Sequence, residues 1–166
     1  MKEIDYRNID KSSFGPGPWQ DEPDKLQYVD DDTGYPCLVK RHPSFGQLCG
    51  YVGVAEGHPA FGKHYDNDIL YNIEVHGGLT FAGSCQEGPE SETICHVPEE
   101  GEPDKVWWLG FDCAHYQDLI PGIDKHNPDL KSRTYKDLNY VKAGNKSLAS
   151  QLKEMEENSD KFTKYF

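Results

Sequence analysis

The apolar residues of this chain come in short runs separated by turn residues, and only near the end do they take on a helical spacing. Six runs indicate strands, because apolar, β-branched and aromatic residues between Gly, Pro and Asp clusters are typical of strands. They are Tyr35–Arg41, Leu48–Val54, Ile69–His76, Leu79–Ala82, Thr93–Val97 and Lys105–Asp112. The order predicts an α+β fold: an antiparallel or mixed sheet of about five or six strands, long Gly/Pro-rich loops and one C-terminal amphipathic helix packed on the sheet.

The chain of 166 residues has the length of one domain, and we predict three parts within it. Residues 1–34 form an extended N-terminal arm, since Gly and Pro interrupt any regular structure around Trp19. Residues 35–120 form the strand-rich core. Residues 134–158 form the helix, in which Thr134 and Asp137 have the spacing of a helix start. Its apolar face carries Leu138, Val141, Leu148, Leu152 and Met155.

The segment Ile69–His76 shows the clearest alternation in the chain. Ile69, Tyr71, Ile73 and Val75 would lie on one face of a strand and be buried together, because side chains two apart point the same way. The pair Gly77-Gly78 and the apolar run that follows predict a tight hairpin.

The charge and the apolar pattern exclude several classes of protein. The formal net charge is −12, and no Lys/Arg cluster is present to neutralise phosphates, so we expect no direct binding to nucleic acid. No window approaches the roughly 18 apolar residues of a membrane span. The start, Met1–Asp5, lacks the apolar stretch of a signal peptide, so we expect a cytoplasmic protein. Its five Cys residues are then expected to be reduced, with Cys113 shielded beside the core.

The first candidate site surrounds His76. If the Ile face of its segment is buried, Glu74 and His76 share the opposite face. Gly77 and Gly78 admit a sharp turn and let a ligand approach the backbone closely. We therefore predict a catalytic role for His76 and ligand contacts for Glu74, Gly77 and Gly78. The alternative is a hairpin whose glycines serve only the turn.

The second candidate site follows the apolar strand Lys105–Asp112. Asp112, His115 and Asp118 recur every three residues, and a helical turn would bring them to one face. Carboxylate and imidazole together suit a divalent metal such as zinc, or a base with its orienting partner. If this strand and the His76 strand pair with matching ends, His76, Asp112 and His115 come within reach of one ligand, with Asp118 as a further metal ligand. The alternative for Asp112 is a helix cap.

Three further residues are candidates for ligand contact. His58 and Lys63 lie in the Gly-rich loop Gly53–Tyr65, which suits a lid over an anionic ligand but also an ordinary surface loop. Trp107 and Trp108 point to opposite faces of their strand, so one belongs to the core; we assign ring stacking to Trp108. Cys85, Cys95 and Cys113 match no common zinc-finger spacing, which favours buried thiols over a structural zinc site.

Three blocks of sequence resemble a family of small bacteriophage and prophage proteins of unknown function: GYVGVAEGHP (residues 50–59), VHGGLT (75–80) and VWWLGFDCAH (106–115). Residues 135–152 are similar to the C-terminal helix of that family, and the resemblance spans roughly residues 35–155. It implies a phage origin and an intracellular setting, without a reaction or catalytic residues.

Three functions remain open from the sequence. The leading hypothesis is a phage accessory protein that binds a small ligand, such as a nucleotide signal of host defence, in a pocket lined by His and aromatic residues. The second is a metal-dependent hydrolase that uses His76, Asp112, His115 and Asp118. The third is an acidic inhibitor that binds a host protein. These sequence features do not decide whether the protein is an enzyme.

Overall fold

The fold comes from a computed structural model that describes residues 1–125 and 132–163, with side chains as far as residue 159. It contains six strands: β1 Ile4–Tyr6, β2 Lys25–Val29, β3 Pro36–Arg41, β4 Leu48–Ala55, β5 Phe81–Ser84 and β6 Val106–Asp112. They form one open antiparallel sheet in the order β1-β2-β3-β4-β6-β5. A short helix α1, Pro121–Asp124, and the long helix α2, Leu138–Thr163, follow. The predicted α+β fold is confirmed.

Helix α2 packs on β3 and β4, and the predicted apolar face of the helix makes the contact. Val141, Leu148 and Leu152 are fully buried in the main core. Gly144 costs helix stability, and the packing shows why it is tolerated: a Cβ there would lie 2.7 Å from Cζ of Phe111. A Cβ on Gly50 of β4 would lie 2.6 Å from the same atom. The two glycines therefore let the helix lie close to the sheet. None of the described helices is both long and apolar enough to cross a membrane.

Two of the predicted strands are wrong, and the first is Ile69–His76. Asn67 caps a single 3-10 turn, Asp68–Leu70, by accepting a hydrogen bond from the Ile69 backbone at 3.1 Å. The turn buries Leu70 and leaves Ile69 and Tyr71 exposed by 43% and 87%, the reverse of the predicted alternation. Further on, the Gln151 side chain from α2 hydrogen-bonds both the backbone N–H and the carbonyl of Glu74, at 2.8 Å each. A side chain thus provides the backbone partners that a neighbouring strand would have given.

The predicted strand Thr93–Val97 is also wrong, for the same physical reason. The ammonium group of Lys25 is fully buried and donates to the carbonyls of Thr93 at 2.7 Å and Cys95 at 2.9 Å, as well as to that of Glu90. The Gln27 side chain accepts from the N–H of Val97 at 2.9 Å. Two polar side chains of β2 therefore hold this segment on the sheet.

The N-terminal arm contains more regular structure than predicted, because β1 and β2 lie within residues 1–34. A buried polar network anchors it. Arg41 has no exposed surface and donates to Asp24 at 3.1 Å, to Glu22 at 3.3 Å and to the Tyr135 hydroxyl at 2.9 Å. Asp24 also pairs with Lys11 at 2.9 Å. Burial alone would raise the pKa of Asp24, but the hydrogen bond from the Ile9 backbone N–H at 2.9 Å and the contacts with Lys11 and Arg41 hold that pKa below its ordinary value.

The expectation of five reduced cysteines is wrong for one pair, since Cys85 and Cys95 form a disulfide. Their Cα atoms are 4.6 Å apart, because the chain after β5 doubles back and Gln86 donates its backbone N–H to the Ile94 carbonyl at 3.1 Å. The other three cysteines are free, and Cys113 is buried as predicted.

Candidate functional site

The structure brings the two predicted sites together, although the His76 strand on which that prediction relied does not form. The rings of His76 and His115 lie 5.6 Å apart, centroid to centroid. Gly77 allows this contact: its φ of 69° suits glycine, and a Cβ there would overlap the ring of His115. Gly78, with φ of 82°, completes the turn by donating its N–H to the Val75 carbonyl at 2.9 Å.

Asp118 lies beneath the two histidines, with a side chain only 1% exposed. Its Oδ2 accepts from His76 Nε2 at 2.8 Å and from the His115 backbone N–H at 2.9 Å. Lys136 Nζ lies 3.1 Å from its Oδ1. Burial by itself would raise the pKa of Asp118, but the hydrogen bonds from His76 and His115, together with the ion pair to Lys136, outweigh it and hold the pKa below its ordinary value. Asp118 is therefore a buried carboxylate that stays ionised.

His76 uses both of its ring nitrogens. Because the ionised Asp118 only accepts hydrogen bonds, Nε2 must donate to it. Nδ1 lies 2.8 Å from the hydroxyl of Tyr140, so in the neutral imidazole it accepts the tyrosine proton. The side chain of His76 is 18% exposed, while Tyr140 is 43% exposed. A chain of hydrogen bonds thus runs from a buried carboxylate through an imidazole to a hydroxyl that solvent reaches.

His115 and Asp112 form a second pair at the rim of the site. His115 Nε2 lies 3.1 Å from Asp112 Oδ1, and both side chains are about one-third exposed. The same Asp112 oxygen accepts the backbone N–H of Ala114 at 3.1 Å. Asp112 therefore caps the turn after β6 and also faces His115; no helix starts at these described residues, so the alternative of a helix cap is wrong.

Tyr140 and Lys136 were missed by the sequence reasoning. Helix α2 begins at Leu138, and Asp137 caps it by accepting the Tyr140 N–H at 2.9 Å. Glu22 accepts the N–H of Leu138 at 2.7 Å and so fixes where the helix starts. This start places Lys136 and Tyr140 beside His76. The one signal in the sequence was an aromatic residue off the apolar face, in the second turn of the helix predicted over residues 134–158; the observed helix starts later, at Leu138.

The remaining predicted ligand residues lie away from this cluster. His58 is buried: its Nδ1 accepts the Ala60 N–H at 3.0 Å and its Nε2 lies 2.8 Å from the carbonyl of Leu152, which fastens its loop to α2. Lys63 is exposed, and its carbonyl accepts the indole N–H of Trp107 at 2.9 Å. The Glu74 side chain is exposed, and its contacts with Gln151 are through the backbone.

The assignment of ring stacking to Trp108 is wrong, because this residue is fully buried. It points to the face of the sheet opposite α2, where its ring lies edge-on to His96 with the centroids 5.4 Å apart. Trp107 is the half-buried member of the pair, packed against Phe61.

Cys113 does not act as a nucleophile activated by His115. Burial raises the pKa of its thiol well above the ordinary value, and the nearby carboxylates of Asp118 and Asp112 raise it further. The protonated thiol is a poor nucleophile.

The donor atoms predicted to bind a metal do not converge on one point. Within the described residues, a group of three metal-binding side chains with donor atoms within 4.8 Å of one another occurs at Cys85, Cys95 and His96. His76, Asp112, His115 and Asp118 do not form such a group. Hydrogen bonds to Asp118 and Tyr140 already occupy both nitrogens of His76.

Replacing Asp118 with asparagine is expected to make the unfolding free energy depend less on pH in the acid range. Since the folded-state pKa of Asp118 lies below its ordinary value of 3.8, its stabilisation is fully present above that pH and is lost as pH falls through the folded-state pKa. The gap in unfolding free energy between wild type and Asp118→Asn should therefore be widest at neutral pH and narrow below pH 3.8. Denaturant unfolding across pH 2–7 measures it; a gap that does not change with pH would contradict the ion-paired role.

In comparisons with protein-family models, curated proteins and solved structures, no match to this chain was found.

Proposed function

We propose that the protein binds a small anionic molecule of the nucleotide type at the face formed by His76, His115 and Tyr140, and that Asp118, His76 and Tyr140 exchange a proton with it. The observation that carries the proposal is the position of His76 between a buried carboxylate and a solvent-facing hydroxyl, at 2.8 Å from each. The three residues come from three separate parts of the chain, so local turn formation does not account for their meeting.

The proton chemistry follows from the roles of the three groups. Asp118 fixes the tautomer of His76 by accepting a hydrogen bond from the Nε2–H group, which leaves the Nδ1 lone pair facing Tyr140. An orienting acid, a base and a hydroxyl in hydrogen-bond reach are the arrangement that activates a nucleophile or moves a proton to and from a substrate. Tyr140 is the member that a ligand touches, because it is the most exposed of the three.

The charges around Tyr140 favour an anionic ligand. A phosphate group that approaches the hydroxyl meets the ammonium of Lys136, and the imidazole of His115 lies beside that of His76. Lys136 Nζ lies 5.7 Å from the centre of the Tyr140 ring, so cation and aromatic ring are adjacent. A nucleotide carries both a phosphate for the cation and a base that can stack on an aromatic ring. The resemblance to phage proteins supports the same ligand class, since nucleotide signals act in host defence.

The metal-dependent hydrolase is less well supported by this geometry. To bind a metal, His76 would have to break its hydrogen bond to Asp118 or the one to Tyr140. Proton transfer through the existing hydrogen bonds requires no such rearrangement.

A panel of nucleotides tests the proposal, with inorganic phosphate as the minimal probe. We expect at least one of the purine nucleoside phosphates, cyclic nucleotides and cyclic dinucleotides to raise the melting temperature, because a ligand at 100 times its Kd adds about 2.7 kcal/mol. Tyr140→Phe should keep the fold. If the ligand is turned over, as followed by phosphorus NMR, this variant should lose about 10²- to 10⁴-fold in rate, the usual contribution of a positioned acid or base.

Tyr65→Phe is the matched control, because Tyr65 also lies against a histidine, with its ring 4.2 Å from that of His64, but outside the site. It should behave as wild type in both measurements. No thermal shift with any member of the panel, or equal effects of Tyr140→Phe and Tyr65→Phe, would contradict the proposal. Capture of a host protein by the acidic surface would then be the better hypothesis.

A further inference from the structure

A second cluster of reactive side chains lies at the far end of the sheet, beside β5. Cys85 follows the last residue of β5, and Cys95 and His96 lie in the segment that Lys25 holds on the sheet. The Nδ1 of His96 lies 3.9 Å from the Sγ of Cys85. The sulfur atoms of Cys85 and Cys95 and one His96 ring nitrogen are all within 4.8 Å of one another. In this structure the two sulfurs form a disulfide.

We propose that reduction of the Cys85–Cys95 disulfide converts this cluster into a zinc site, with the two thiolates and His96 Nδ1 as protein ligands and a solvent molecule in the fourth position. The proposal is independent of the function proposed for the His76 site.

The spacing between His96 and Cys85 agrees with zinc, and the two sulfur atoms are free to separate once the disulfide is reduced. Bonds of about 2.3 Å to sulfur and about 2.0 Å to nitrogen, at a tetrahedral angle, place the two donor atoms about 3.5 Å apart. The observed 3.9 Å between His96 Nδ1 and Cys85 Sγ differs from this by a few tenths of an ångström. Thiolate and imidazole are also the donor types that zinc prefers among divalent cations.

The surroundings of the cluster support a charged sulfur. The fully buried Trp108 donates its indole N–H to Cys85 Sγ at 3.3 Å, which stabilises negative charge on that atom. The ammonium of Lys25 donates to the backbone carbonyl of Cys95 at 2.9 Å, which holds the backbone of the second cysteine in place. These contacts would orient the ligands before the ion arrives.

The reduction and the metal binding need only an added reductant and zinc. The disulfide accepts two electrons and two protons and becomes two thiols. With a phosphine reductant, the phosphine provides the electrons and becomes a phosphine oxide, with its oxygen taken from water. Zinc then displaces the two thiol protons, so its affinity should rise with pH.

Metal titration of the intact chain tests the site. The protein is reduced with a phosphine under anaerobic conditions and titrated with Zn²⁺ against a chromophoric chelator, and in parallel with Co²⁺. We expect one equivalent of metal, together with the sulfur-to-cobalt charge-transfer band and the intense visible bands of tetrahedral cobalt. The unreduced protein should show neither. A reduced protein that binds no stoichiometric metal overturns the proposal.

Variants separate the cluster from the other thiols. His96→Gln retains both cysteines and should weaken zinc binding by more than about 100-fold. Trp108→Phe keeps an aromatic ring but removes the N–H donor to Cys85 and part of the contact with His96, and it should weaken zinc binding by about 10- to 100-fold, as loss of an outer hydrogen bond does. Cys49 lies outside the cluster, so the Cys49→Ser variant should bind zinc with the affinity of the wild type. Equal affinity of wild type and His96→Gln, or loss of binding in Cys49→Ser, would refute the assignment.

Circular dichroism covers the case in which reduction unfolds the chain. Recovery of the folded spectrum on addition of one equivalent of zinc supports the site, because metal binding then drives folding. A reduced chain that stays unfolded with zinc counts against it.

Discussion

Replacing Asp24 with alanine is expected to lower the free energy of unfolding by about 3–5 kcal/mol, the usual loss when one partner of a buried ion pair is removed. Without this carboxylate, Arg41 would remain buried and charged. Its remaining carboxylate partner, Glu22, is more distant, at 3.3 Å. Lys11 would lose its partner as well. Denaturant unfolding at neutral pH measures the change.

Asp5→Ala is the control for that experiment. Asp5 also pairs with an arginine, Arg7, at 3.1 Å, but both side chains are about half exposed. An exposed pair contributes only about 0–1 kcal/mol. If Asp24→Ala costs no more than Asp5→Ala, the buried network does not stabilise the fold in the way described.

Trp108→Ala should destabilise the protein by a similar amount, about 3–5 kcal/mol, because it removes a fully buried indole and leaves a cavity. The variant also removes the N–H that Cys85 Sγ accepts and the edge-on contact with His96. Thermal and denaturant unfolding of the disulfide-bonded protein give the difference.

The neighbouring Trp107→Ala provides the comparison, since it removes the same side chain from the same strand. Trp107 is half-buried, so less apolar surface returns to water, and we expect a clearly smaller loss of unfolding free energy. A larger loss for Trp107 than for Trp108 would reverse the assignment of the two faces of β6.

The strands that the sequence predicted well are those in which apolar residues alone mark the buried positions. β4 and β6 are of this kind, and so is the apolar face of α2. β2 was not predicted because two of its buried positions hold Lys25 and Gln27, residue types that usually lie on the surface. The same two side chains, with Gln151, supply backbone partners to the segments wrongly predicted as strands. Such long-range side-chain contacts leave no periodicity in the segment that receives them.

The candidate site was predicted in part. His76, Asp112, His115 and Asp118 were singled out because imidazole and carboxylate groups next to glycine or at a strand end are typical of sites, and the structure brings them together. His76 reaches His115 although the predicted strand does not form, because the turn at Gly77 brings the two rings together. Tyr140 could not be predicted, because its position depends on where α2 begins and how the helix crosses the sheet.

The strand order also constrains the sequence of events during synthesis of the chain. β1 to β4 are consecutive antiparallel neighbours, so each can pair with the strand made just before it. β5 pairs only with β6, and β6 is made later. The apolar face of β3 and β4 gains its cover only when α2 has left the ribosome. A nascent chain that stalls before β6 therefore leaves the edge of β4 unpaired and the apolar face of the sheet uncovered, and binding of chaperones to such surfaces is most needed in that interval.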